Sequence, residues 1–213
     1  MARAPSSEGK TRLAPHLTPE RLTSLRSALL ADTLSAVASL PDVFVFVTPD
    51  EAVPEVETVL PVVPQGGGDL GARMLHALQF LLQVSAEEPQ CLTPDIAILV
   101  GSDIPMLTES LITEAASLLQ RSGGVVLGPA DDGGYYLIGM TQAHPGLFEG
   151  IAWGSESVLT DTLRAADRLG VDAYLAPSSY DVDTIDDLLR LERDLAWAPS
   201  GVAPALRRWF SEE

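Results

Sequence analysis

"DIAILVGSD", residues 95–103, is the stretch that decides the fold. Its centre, from Ile96 through Val100, is apolar at every position, so both faces of the strand it predicts need cover. Such a run belongs in the middle of a parallel sheet with helices on both sides. It stops at Gly101, Ser102 and Asp103. Ligands of open α/β sheets sit beyond the carboxyl ends of the strands, so Asp103 is expected in a ligand crevice. A carboxylate there is costly unless a cation compensates it. A hard ion such as Mg2+ does so with one or two carboxylates plus phosphate oxygens. The plainer alternative is that Asp103 caps a turn beside Pro105.

Outward from this stretch, strand and helix signals alternate. Thr18 and Pro19 suit a helix cap and first turn, and Leu22, Leu25, Leu29, Ala36 and Leu40 follow at helical spacing. Residues 42–48 and 58–63 read as strands. A helix begins at Asp69 with Leu70, Met74, Leu78 and Leu81 on one face. Further helices are expected from Thr108, Ser155 and Asp183, and strands at 124–128, 135–140 and 171–176. This alternation predicts an α/β fold, a three-layer sandwich with a mainly parallel central sheet. Residues 1–197 form one domain on this reading, and "APSGVAP" at 198–204 opens a tail, 198–213, with a short amphipathic end.

Composition narrows the function. The chain has 213 residues, 46% of them apolar, and a formal charge of −17. That charge repels polyanions, which argues against a nucleic-acid or anionic-membrane partner. No apolar run reaches the eighteen or so residues of a membrane span, and "MARAPSSEGK" carries no apolar secretory core. The single cysteine, Cys91, cannot form an internal disulfide, which fits a reducing cytoplasm. The cations are uneven, with Arg3, Lys10, Arg12, Arg21 and Arg26 all near the start.

Lys10 is the only lysine, set in "EGKTRLAP" at 8–15. A Walker motif would need a glycine where Ala4 stands, so that reading fails. Gly9 for backbone freedom, with Lys10 and Arg12 to bracket a phosphate chain, is what survives; surface charge is the alternative. In "GPADDGGYYLIGM", 128–140, Gly133 and Gly134 permit either a tight hairpin or close approach to a ligand. Asp131 and Asp132 there can hold an acceptor hydroxyl or act as a base. In "SYDVDTIDDL", 179–188, Asp183 or Thr184 with Asp186 or Asp187 would cap a helix. Asp181 and Asp183 alternate, however, and one of them could complete a metal site with Asp103. "GGGDLGARM", 66–74, leads into a helix whose amide end could hold a ligand. Trp153 in "AWGSESV", 152–158, can stack on a base or sugar, or fill the core. His16, His76 and His144 have no ligand spacing, and no Cys/His cluster suggests zinc.

Six motifs in order, "ARAP…GKTRLAP", "GDLGARM", "GSDIPML", "GPADDGGYYLIGM", "LFEGIAWGSESVL" and "YDVDT…DLLRL", resemble the bacterial arsenosugar-biosynthesis-type glycosyltransferase family. That family has a nucleotide-diphospho-sugar transferase, GT-A-like fold. The first and last motifs are also similar to phospholactate guanylyltransferase. The resemblance implies that Lys10 and Arg12, with Arg3, Gly67, Asp69, Gly71 and Ser102, bind the nucleotide. It implies that Asp103 and Asp183 hold Mg2+ or Mn2+, and that Asp131, Gly133, Gly134, Tyr135 and Trp153 lie beside the acceptor. Against the family pattern, which has an apolar first strand before "ARAP", the sequence begins with Met1 at that point and its loop to Lys10 is a residue short; either the start codon is called late or the central strand is stunted.

The expected function is a Mg2+-dependent transferase that moves a nucleotidyl group from a nucleoside triphosphate, or a sugar from a nucleotide sugar, to a small-molecule acceptor. Lys10, Arg12, Asp103 and Asp132 would carry the reaction. The alternatives are a nucleotide-binding protein without turnover and a purely structural subunit. A cytoplasmic protein is expected, and a homodimer is left open.

Overall fold

The computed structural model describes residues 1–7, 9–86 and 96–212, without the side chains of 84–86. Glu8, Cys91 and Asp95, named above, lie outside the described residues. The chain divides into two compact units, one comprising Met1–Pro64, Gly101–Glu109 and Tyr180–Glu213, the other Gln65–Val100 and Ser110–Ser179.

The first unit holds a parallel sheet in the order β1 (Ala2–Arg3), β2 (Val45–Thr48), β3 (Val62–Pro64). β1 is short, and its two residues pair with Val47 and Thr48. Helix α1 (Pro19–Val37) starts where the sequence predicts: the Arg21 amide donates to the Thr18 side chain at 3.2 Å, and Pro19 opens the first turn. Its buried Leu22, Leu25, Ala28 and Leu29 pack against Leu188, Leu191 and Leu195 of α5 (Ile185–Trp197) and Leu206 and Trp209 of α6 (Pro204–Ser211). The segment 198–213, read from sequence as a tail, thus contributes Ala203, Leu206 and Trp209 to this core. Asp32 of α1 fixes it, accepting from the Ala205 and Leu206 amides at 2.8 and 2.9 Å. These amides are in the first turn of α6, where a carboxylate satisfies donors that lack helical partners.

The second unit holds a four-stranded sheet in the order β4 (Ala97–Val100), β6 (Tyr135–Met140), β5 (Val125–Pro129), β7 (Ala173–Leu175). With it are α2 (Leu70–Ala86), α3 (Glu109–Ser122) and α4 (Val158–Leu169). β5 and β6 form a hairpin, β4 pairs antiparallel to β6, and β7 is parallel to β5. This corrects one expectation. β4 is not in the middle of a parallel sheet, because among the described residues its ladder partner is the antiparallel β6. Ala97 and Leu99 are buried and Ile98 and Val100 half-buried, and their apolar character carries no information about the direction of the neighbouring strand. Gly139 in β6 shows how close the helix cover is, since a Cβ there would be 2.9 Å from Leu119 of α3.

Candidate functional site

Lys10 is positioned from both sides. Upstream, the Ala4 amide donates to Thr48 of β2 at 2.9 Å, the Ser7 amide returns to the Ala4 carbonyl at 3.0 Å, and the Arg26 guanidinium of α1 donates to the Ser7 carbonyl. Downstream, the Leu13 amide donates to the Lys10 carbonyl at 2.9 Å, and Leu13 is fully buried in the core. The turn between these anchors holds Lys10 at φ +50°. A left-handed conformation costs a side-chain-bearing residue about 1–2 kcal/mol. Such strain persists where the surrounding structure enforces it.

Two carboxylates are brought to that ammonium by unrelated parts of the sequence. Asp103 lies in a segment anchored by buried Ile104 and Leu107. Its carbonyl accepts from the Val182 amide at 3.3 Å, and the Ser102 carbonyl accepts from Thr33 at 3.4 Å. Asp183 directly precedes the cap of α5. The capping box there uses Thr184 and Asp187: the Asp187 amide donates to Thr184 Oγ1 at 3.2 Å, and the Asp183 and Thr184 amides donate to Asp187 Oδ2 at 3.1 and 2.8 Å. The cap therefore falls on Thr184 and Asp187, and not on the Asp183 carboxylate. Asp183 keeps its own carboxylate for other work.

Lys10 Nζ is 2.9 Å from Asp183 Oδ1 and 3.2 Å from Asp103 Oδ2. Its side chain is 5% exposed, whereas those of Asp103 and Asp183 are 49% and 46% exposed. Burial alone would lower the ammonium's pKa, but the attraction of Asp103 and Asp183 and the hydrogen bonds to them outweigh it, holding it above the ordinary lysine value. Arg12, two residues on, is exposed and makes no hydrogen bond or ion pair among the described residues. Arg3 is exposed beside Gly9, where a Cβ would come within 3.2 Å of its side chain. The first unit thus brings together Lys10, Asp103 and Asp183, with Ser102 held at the same segment.

Among the described residues no three His, Cys, Asp or Glu side chains gather as a metal cage. Two half-exposed carboxylates nonetheless suit Mg2+ or Mn2+, which need only one or two protein carboxylates when water and substrate phosphate supply the remaining oxygens. Asp103 and Asp183 could hold such an ion.

The remaining expected site residues are in the second unit. Asp69 accepts from the Ala72 amide at 2.8 Å and so caps α2. Gly66 and Gly68 before it have φ of +78° and +98°, while Gly67 has open space around its α-carbon. Gly71 is required by packing, because a Cβ there would be 2.5 Å from the Trp153 ring. Trp153, half-buried, is stacked on Phe148 at 6.4 Å between centroids and meets Tyr135 edge-on at 6.5 Å. Burial pushes the Tyr135 phenol above its ordinary pKa. Gly133, at φ +87°, places its α-carbon where a Cβ would be 2.2 Å from the Glu156 carbonyl oxygen. Asp132 accepts from the Gly134 amide at 2.9 Å, and Asp131 and Asp132 are both exposed. The Asp131 to Tyr135 hairpin and Trp153 therefore belong to one packed group.

Sequence reasoning missed three positions. Arg26 reads in the sequence only as one of the N-terminal cations, but it is the clamp on the loop before Lys10. Asp32 is a buried carboxylate whose partners lie 173 and 174 residues away, beyond any local signal. Gln65, 4% exposed, accepts from the Arg73 guanidinium at 3.1 Å. A buried amide directly before three glycines is the only hint the sequence held.

Comparison with known proteins agrees with this architecture. A crystal structure of a candidate nucleotide-diphospho-sugar transferase from Desulfovibrio desulfuricans G20 superposes with a TM-score of 0.83 at 30% identity, covering 97% of this chain and 91% of that one. The mixed α/β fold is that of this protein. A cytidylyltransferase from Leptospira borgpetersenii serovar Hardjo-bovis shares the fold alone, with a TM-score of 0.57 at 14% identity over 99% of this chain and 91% of its own. A phosphoenolpyruvate guanylyltransferase from Nocardia farcinica is 33% identical over 139 residues, 55% of this chain. The match spans 61% of that relative's length. The family model described as an uncharacterized protein conserved in bacteria, DUF2064, matches residues 30–155. With the six ordered motifs and the shared fold behind it, that match means the chain belongs to the DUF2064 family.

Proposed function

We propose that this protein is a transferase acting on an activated nucleotide, and that its reaction is nucleotidyl transfer to a small-molecule acceptor. The observation that carries this reading is the buried Lys10 ammonium joining Asp103 and Asp183, three residues the sequence keeps far apart. Nucleotidyl transfer forms a bond from the acceptor oxygen to the α-phosphorus and breaks the bond to pyrophosphate. Lys10, with three donors, and the exposed Arg12 would neutralise the departing phosphates. Asp103 and Asp183 would hold Mg2+ or Mn2+, which when bound supplies Lewis-acid stabilisation of the charge that develops on phosphate. Pre-set charges of this kind are usually the largest catalytic contribution.

The similarity to a phosphoenolpyruvate guanylyltransferase makes GTP and phosphoenolpyruvate the first substrates to try. Glycosyl transfer from a nucleotide sugar is the second reading, favoured by the 30% identity to the Desulfovibrio protein. Asp131, Gly133, Gly134, Tyr135 and Trp153 would bind the acceptor, with Asp132 as the base. No helix among the described residues is long and apolar enough to cross a membrane.

The test is a panel of nucleoside triphosphates and nucleotide sugars, with and without Mg2+, read as the shift in melting temperature. A ligand that binds only the folded state must raise it, by an amount equivalent to about 2.7 kcal/mol at a hundred times Kd. A shift with triphosphates, followed by pyrophosphate release on adding an acceptor, is the expected result. A shift with nucleotide sugars only would move the assignment to glycosyl transfer, and no shift with either would end both.

A further inference from the structure

Lys10 raises a question that its expected phosphate role does not answer. Its ammonium already lies on both carboxylates that would hold the divalent ion, at 2.9 and 3.2 Å, and its side chain is 5% exposed. We propose that Lys10 is a built-in counter-ion for Asp103 and Asp183 that the divalent cation displaces on binding. This rests on the reading above that the two carboxylates hold the ion.

Two aspartates close enough to share one ammonium repel each other, so without a cation between them they would move apart. Lys10 keeps them together, and so preserves the donor pair before the ion arrives. The ion and the ammonium cannot both keep full contact with this pair, because they compete for the same oxygens and repel each other at a few ångströms. Release requires no change of fold. The Lys10 backbone is held by the Leu13 amide and the Ser7 anchor, while its four-carbon stem can carry the ammonium away.

The choice of side chain supports the same conclusion. The chain has 13 lysines and arginines, yet Lys10 is its sole lysine. Arginine would grip two carboxylates with a rigid planar fork, whereas lysine offers a compact charge on a flexible stem. A cation that must leave needs the second property. The released ammonium then becomes available to a phosphate chain, which would make ion and nucleotide bind cooperatively.

Mn2+ binding to nucleotide-free protein, followed by electron paramagnetic resonance, tests this without reference to activity. Lys10→Met should bind Mn2+ about tenfold more tightly than wild type, the order expected when one competing charge is removed from a partly buried pair. Lys10→Arg should bind no more tightly than wild type, and Asp103→Asn should lose the site. Equal or weaker binding by Lys10→Met, with Asp103→Asn still abolishing it, would overturn the exchange while leaving the metal reading intact. Tight binding by Lys10→Arg would also overturn it, since charge would then not be the cause. If Mn2+ binds to none of these proteins, with or without GTP, the metal reading and the exchange fall together. Circular dichroism guards against a folding defect. A Lys10→Met or Lys10→Gln protein that folds only when Mn2+ is added supports the proposal, and one that stays unfolded in Mn2+ refutes it.

Discussion

The Lys10 cluster of the first unit and the glycine hairpin of the second both set aspartates among small residues, yet they solve different problems. Around Lys10 the carboxylates of Asp103 and Asp183 are turned onto a buried cation, and the backbone of Lys10 itself is held at φ +50° to achieve it. In the hairpin, Asp132 accepts from its own turn, and Gly133 is dictated by the Glu156 carbonyl against which it packs. Charge organises the first group and steric fit the second. A pair of acids in a sequence does not reveal which of the two it belongs to; the presence of a lone lysine is what separates them.

Substitutions should sharpen this contrast. The largest effect is expected for Asp103→Asn, which should lower kcat/KM by on the order of 3 kcal/mol or more in transition-state stabilisation, as loss of a preorganised charge does. Its melting temperature should fall only modestly, because Asp183 still partners the buried Lys10 ammonium at 2.9 Å. Gly133→Ala should do the reverse, destabilising the fold by about 2 kcal/mol or more in urea titration, since the new Cβ meets a backbone oxygen at 2.2 Å and adopts a left-handed φ. If Gly133→Ala were neutral for stability, the steric account of the hairpin would fail.

Asp32→Ala offers a control inside the first unit. It removes both acceptors from the first turn of α6 and should cost about 2 kcal/mol of stability, in line with a helix cap lost from a buried site. Catalytic constants per folded molecule should not change. The smallest stability effect belongs to Asp132→Ala, about 0.5–1 kcal/mol for one turn hydrogen bond. A fall in kcat of about a hundredfold or more in that variant would establish Asp132 as the base, and an unchanged kcat would leave it as turn chemistry.

Much of this organisation was legible in the sequence, for identifiable reasons. Thr18 and Pro19, and Asp69 before α2, are local signals, and local hydrogen bonds realise them. β6 runs over Tyr135–Met140, as its apolar and aromatic content predicts. Lys10 was singled out by being unique, Asp103 by following an apolar strand, and Asp183 by its alternation with Asp181 and by the family resemblance. What the sequence could not convey was pairing at a distance. The antiparallel partner of β4 depends on where the β5–β6 hairpin returns, and the α6 cap depends on Asp32 meeting amides from the far end of the chain. Nor could it show that the first partners of Lys10 are the carboxylates, because an ammonium suits both them and phosphate.

The account depends on Asp103, Asp183 and a divalent ion acting together on a nucleotide, and calorimetric titration of GTP into wild type and Asp183→Asn, each with and without Mg2+, tests that most directly. Wild type should bind GTP more tightly in Mg2+ than without it, and Asp183→Asn should show no Mg2+ dependence. An Asp183→Asn protein that keeps the full Mg2+ enhancement would contradict it.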